Sequence, residues 1–116
     1  MIWKTRETEP ARRENLAGGS GGAWCVQPVT GDNAVAGSRF HMIGRISLDP
    51  GAGVGEHLHA RNEEVYIVAE GHGTYFDNGE WRPVGPGDIM ICTQGQRHAL
   101  TNTGTIPLTF YGLIVE

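Results

Sequence analysis

The sequence predicts an all-β domain, and three observations carry the prediction. Eighteen glycines and six prolines cut its 116 residues into pieces too short for a row of helices. Turn signals stand between nearly all of those pieces. Within them side chains alternate, as in Glu64, Tyr66 and Val68 on one face against Glu63, Val65 and Ile67 on the other.

The strand candidates, in order, are Phe40 to Leu48, Glu64 to Ala69, Gly73 to Phe76, Trp81 to Val84, Ile89 to Cys92, His98 to Asn102 and Leu108 to Val115. Asn78-Gly79 is the sharpest turn signal, because both residues accept the positive φ of a tight hairpin. Asp49-Pro50-Gly51 and Gly85-Pro86-Gly87-Asp88 are further turns. Residues 4–16 are charged and lack a helical period, so they read as an irregular arm. Gly18-Gly19-Ser20-Gly21-Gly22 lacks the Lys and Ser/Thr that complete a phosphate-binding loop and reads as a flexible connector. The expected organisation is one domain, with an N-terminal arm and edge strand over residues 1–38 and a barrel over residues 39–116.

The formal net charge of −4 and nine scattered Lys and Arg residues offer nucleic acid no electrostatic footprint. The longest apolar stretches, Val65 to Ala69 and Tyr111 to Val115, fall far short of the about 20 residues of a spanning helix. Met1 to Arg13 has no apolar run of the kind that marks a secretory signal, so a cytoplasmic location is expected. Cys25 and Cys92 lack the spacing of a redox pair and read as small core residues.

Chemistry concentrates in two segments, residues 51–71 and 87–102. On an extended strand His57 and His59 share a face, so two imidazoles can reach one ion. An acidic side chain after the turn at Ala60-Arg61-Asn62 can add an oxygen ligand. Glu63 and Glu64 both carry the charge, they face opposite ways, and spacing alone does not choose between them. His98 is placed to complete the set from a distant strand.

Residues 51–71 resemble the first motif of the cupin family, G-x5-H-x-H-x4-E-x6-G, through Gly51, His57, His59, Glu64 and Gly71. Residues 87–102 resemble the second, G-x5-P-x-G-x2-H-x3-N, through Gly87, Gly95, His98 and Asn102, with Thr93 at the usual proline position. The resemblance selects Glu64 over Glu63. It implies a jelly-roll barrel (double-stranded β-helix) of two antiparallel sheets, often a homodimer, holding one divalent transition metal through His57, His59, Glu64 and His98. Imidazole and carboxylate donors suit Mn, Fe, Ni, Co, Cu or Zn without naming one. Three nitrogens and one oxygen leave one or two positions for water or a small-molecule ligand.

By strand alternation Tyr66 and Val68 share the face of Glu64, while Gln96 and Leu100 share that of His98. These four are the expected pocket wall. Arg45, Arg61 and Arg97 are the nearest cations to the motifs, and none is well placed for a substrate carboxylate. His72 is expected in solvent, and His41 has the strand parity of Arg45. The first functional expectation is a metal-dependent enzyme of dioxygenase, decarboxylase or isomerase type acting on a small oxygenated molecule. The alternative is a metal-dependent binding or sensing module without catalysis.

Overall fold

The computed structural model describes residues 1–116, and its ten strands form two antiparallel sheets. The strands are β1 (Ala11–Glu14), β2 (Gly22–Val29), β3 (Phe40–Leu48), β4 (Gly53–Leu58), β5 (Glu63–Glu70), β6 (Gly73–Asp77), β7 (Glu80–Val84), β8 (Ile89–Cys92), β9 (Arg97–Asn102) and β10 (Leu108–Val115). The larger sheet runs β1-β2-β3-β10-β5-β8 and the smaller runs β4-β9-β6-β7. Two facing sheets of this kind make the jelly-roll barrel that the sequence predicts.

Alternation fixes what faces inward. Ile46, Phe110 and Val68 are aligned across β3, β10 and β5 and are buried, while their neighbours Arg45, Tyr111 and Ile67 are turned to the outer face. Tyr75, Leu100 and Val54 meet them from the smaller sheet to form the core. At about 25 cal/mol per Å2 of apolar surface, burying side chains of this size is the main stabilising contribution to the fold.

Asp77 and Glu80 pair across a two-residue turn in which Asn78 and Gly79 both have positive φ (45° and 117°), as that dipeptide predicts. The motif glycine Gly71 also has positive φ, 84°, and a Cβ there would stand 2.5 Å from the Pro107 carbonyl oxygen. Both constraints exclude a side chain.

The N-terminal region differs from the sequence reading. Within the arm read as irregular, β1 pairs with β2, and Arg12 bridges Glu14 (2.9 Å) and Asp49. β2 is interior to the larger sheet and pairs with β3, burying Ala23, Cys25 and Val29, so the barrel draws on residues N-terminal to position 39. The glycine run is packed rather than a flexible connector. Leu16–Gly18 form a 310 turn against β4, and a Cβ on Gly19 would lie 2.1 Å from the Gly53 carbonyl oxygen. Glycine is needed there for backbone-to-backbone contact. β4 is the extended segment expected at His57, but it runs from Gly53 to Leu58, so that His59 falls just beyond it.

No helix in the structure is long and apolar enough to cross a membrane.

Candidate metal centre

β4 delivers His57, the turn after it delivers His59, the second residue of β5 is Glu64, and β9 supplies His98. His57 and His98 are direct partners in the β4–β9 ladder, which sets their rings side by side. Glu64 crosses from the opposite sheet. The four ligand atoms all lie within 4.8 Å of one another, bringing the sequence-predicted set to one point.

The separations suit coordination. His98 Nε2 is 2.9 Å from both His57 Nε2 and His59 Nε2, and Glu64 Oε1 is 3.0 Å from His98 Nε2 and 3.1 Å from His59 Nε2. Two donors each about 2.1 Å from an ion and at right angles to each other are about 3.0 Å apart. His57 Nε2 stands further from Glu64 Oε1, at 3.8 Å.

The far nitrogens settle which atoms point inward. His57 Nδ1 donates to the Gly55 carbonyl oxygen at 2.7 Å, and His59 Nδ1 donates to Asn62 Oδ1 at 2.6 Å. Each neutral ring therefore presents an Nε2 lone pair to the centre. His98 Nδ1 is held by the Tyr75 hydroxyl at 3.0 Å. Lone pairs and a carboxylate aimed at one point repel unless a cation sits between them, so these residues fit a metal ion.

Burial tunes the group. Burial alone would raise the Glu64 carboxyl, but the imidazoles of His57, His59 and His98 outweigh it and hold the group below the usual carboxylate range. The hydrogen bond that the His59 imidazolium donates to Glu64 raises His59 above the ordinary imidazole value against the opposing effect of burial. Burial lowers His98, and Glu64 offsets only part of that.

Residues 44–115 match the cupin domain family. The chain belongs to the cupin family. An oxalate-binding protein from Thermotoga maritima is 30% identical over 115 residues, covering 99% of this cupin and 93% of that protein. A crystal structure from Thermotoga maritima, described as a predicted oxalate decarboxylase, superposes with a TM-score of 0.91 at 30% identity, over 99% of this chain and 98% of that one. The Cnp3 cupin domain of Schizosaccharomyces pombe gives a TM-score of 0.76 at 10% identity, over 98% and 72%, which is a likeness of fold alone.

The cupin motif residues outside the ligand set shape the barrel. Asn102 is buried, donates to the carbonyl oxygens of Leu48 (3.0 Å) and Ile106 (2.9 Å), and accepts from Gly104 N–H (2.9 Å). At the position where the motif usually has proline, Thr93 keeps its N–H and donates it to Gln96 Oε1 at 3.0 Å. A proline could not make that bond.

The residues expected to line a pocket separate into three groups. Tyr66 lies against the centre, stacked on the His98 ring with centroids 4.8 Å apart and planes at 20°. Val68 and Leu100 are packed in the core. Gln96 is half-buried with its amide oxygen engaged in the turn. Glu63 is exposed, as its opposite parity requires. Of the other candidates, Arg61 and His72 are exposed, Arg97 pairs with Glu56 at 2.7 Å, and Arg45 faces outward beside Tyr111. His41 lies near Glu116, 3.4 Å away at the outer surface. Asn62 and Tyr75, which hold the outer nitrogens of two ligands, are the functional residues that sequence spacing missed.

Proposed function

We propose that this cupin holds one divalent transition metal through His57, His59, Glu64 and His98 and uses it to bind a small chelating carboxylate of the oxalate class. The observation that carries this is the convergence of three imidazole lone pairs and one carboxylate oxygen at about 3 Å spacing. A metal of the Mn, Fe, Co, Ni, Cu or Zn group supplies positive charge at this point, with one or two positions left for an oxygen ligand. The resemblance to an oxalate-binding protein over nearly the whole of both chains supports the ligand class.

The chain's own residues favour binding over turnover. Catalysis by proton transfer works best with a group whose pKa lies near the operating pH. Besides the ligands, the titratable side chains facing inward nearby are Tyr66, Tyr75 and Cys92. Burial pushes both tyrosines up and raises the Cys92 thiol to about 11, so all three stay protonated at neutral pH. Tyr66 and Tyr75 act by holding the His98 ring, one through its face and one through Nδ1.

The test is calorimetric titration of oxalate into the Mn(II), Fe(II), Ni(II) and Zn(II) forms and the metal-free protein, followed by mass analysis of the mixtures. Saturable binding that requires metal and leaves oxalate intact is the expected result. Conversion to carbon dioxide and formate at the about 1 to 1,000 per second typical of enzymes, abolished by His57→Ala, would replace the binding reading with a catalytic one. Absence of binding in every metal form would contradict the ligand class.

A further inference from the structure

The ligand atoms are not equally covered: the His57 side chain is 27% exposed, against 6%, 4% and 1% for His59, Glu64 and His98. A ligand therefore approaches from the His57 side. Yet none of the four cavities on the molecule is lined by any of these four residues.

The sheet register shows which side chains stand beside Glu64. Met42, Ile114 and Glu64 lie in one row across β3, β10 and β5, all with inward parity. In the next row Gly44 pairs with Gly112, followed by Tyr66, so two adjacent inward positions carry no side chain. A Cβ built on Gly44 would lie 2.8 Å from Gln27 Cγ and 3.3 Å from Met42 Sδ. One built on Gly112 would lie 3.2 Å from Met42 Cε, 3.5 Å from Glu64 Oε2 and 3.5 Å from Tyr66 Cε1. The Met42 thioether thus shares the space over Gly44 with Gln27 and reaches on to Gly112, where its methyl group would crowd any side chain at position 112. That place borders the carboxylate oxygen of Glu64 that points away from the three imidazoles.

We infer that Met42 is the specificity-determining residue of the metal centre: its half-buried side chain fills the space beside Gly112 and Glu64 and limits the size of the ligand admitted. The inference rests on the proposed metal site but not on oxalate being the ligand. Methionine suits the role because an unbranched thioether side chain changes shape readily and fills irregular gaps. Gly112 leaves the room into which its methyl group reaches.

The experiment uses the full chain loaded with Co(II), whose visible absorption spectrum reports direct ligation by added azide and by the bulkier imidazole. Met42→Ala should keep one Co(II) per chain and tighten imidazole relative to azide at least tenfold. Gly112→Ala should weaken imidazole at least tenfold, and Met42→Ala on that background should restore it, because the added methyl acts by crowding Met42. An unchanged imidazole-to-azide ratio in Met42→Ala, or no restoration in the double variant, would overturn the inference. Oxalate is titrated in parallel. A shifted imidazole ratio in a protein that ignores oxalate supports the role of Met42 while contradicting the proposed ligand class.

Discussion

Asn62 Oδ1 accepts a 2.6 Å hydrogen bond from His59 Nδ1, and through it the turn between β4 and β5 sets the direction in which a metal ligand points. Tyr75 holds His98 in the same manner from β6. Loss of such an outer partner typically costs about 10–100-fold in metal affinity. Asn62→Ala and Tyr75→Phe should each fall in that range with the far-ultraviolet circular dichroism unchanged. Competition with a chromophoric chelator measures it, and wild-type affinity in both would show that the rings are oriented by other contacts.

The neighbouring carboxylates should separate cleanly. Glu64→Gln removes the oxygen ligand and the charge that faces three imidazoles, so its effect on metal affinity should exceed the about 10–100-fold of an outer partner. Glu63→Gln changes an exposed side chain of opposite parity and should leave affinity within about twofold, on the scale of ordinary surface substitutions. Equal losses, measured by the same competition, would place the register of β5 wrong by one residue.

Much of this was legible in the residues. β3, β8 and β10 run over the residues expected, and β5, β6, β7 and β9 differ only at their ends, because alternation and Gly-Pro-Asn turns mark them plainly. β1, β2 and the start of β4 are not among the expected strands, because charged residues and glycines give an ambiguous cue there. Gly55 looks like a turn residue, yet a Cβ there would stand 2.3 Å from the Ala17 carbonyl oxygen, so the glycine records close packing on the 310 turn. The four ligands follow from the motif spacing. Asn62 and Tyr75 do not, since their partners come through a turn and a strand pairing that spacing does not encode. Gln96 illustrates the opposite error: strand parity assigned it to a wall, but it precedes β9 and its amide closes the turn instead.

The pH dependence has a definite sign. In the metal-free protein His59 is raised above the ordinary imidazole value of 6.5 by Glu64, so a metal ion must displace its proton as pH falls through that raised value. His98, lowered by burial, adds competition only in more acidic solution, and Glu64 remains ionised throughout. Metal affinity should therefore begin to fall above pH 6.5 and drop by about tenfold per pH unit for each proton displaced. Chelator competition between pH 8 and 5 measures this, and a flat profile would contradict imidazole ligation.

Asn102 offers a stability test away from the metal. Its side chain satisfies three backbone groups, two of them carbonyls in different segments, and is 1% exposed. With about 1 kcal/mol per hydrogen bond, and more where a buried group is left unpaired, Asn102→Ala should destabilise the fold by about 2–4 kcal/mol. Urea unfolding of the metal-free protein gives the value, and a loss below about 1 kcal/mol would mean that the β9–β10 connection is held by something else.

The central claim is that His57, His59, Glu64 and His98 form a metal centre, and metal stoichiometry tests it most directly. Protein prepared without a histidine tag and equilibrated with Mn(II), Fe(II), Ni(II) or Zn(II), then freed of loosely held ions, is analysed by inductively coupled plasma mass spectrometry. The account predicts about one ion per chain for at least one of these metals, falling toward zero in His57→Ala and His98→Ala. Content near zero for every metal in the wild-type chain, or one ion per chain that survives both substitutions, would contradict it.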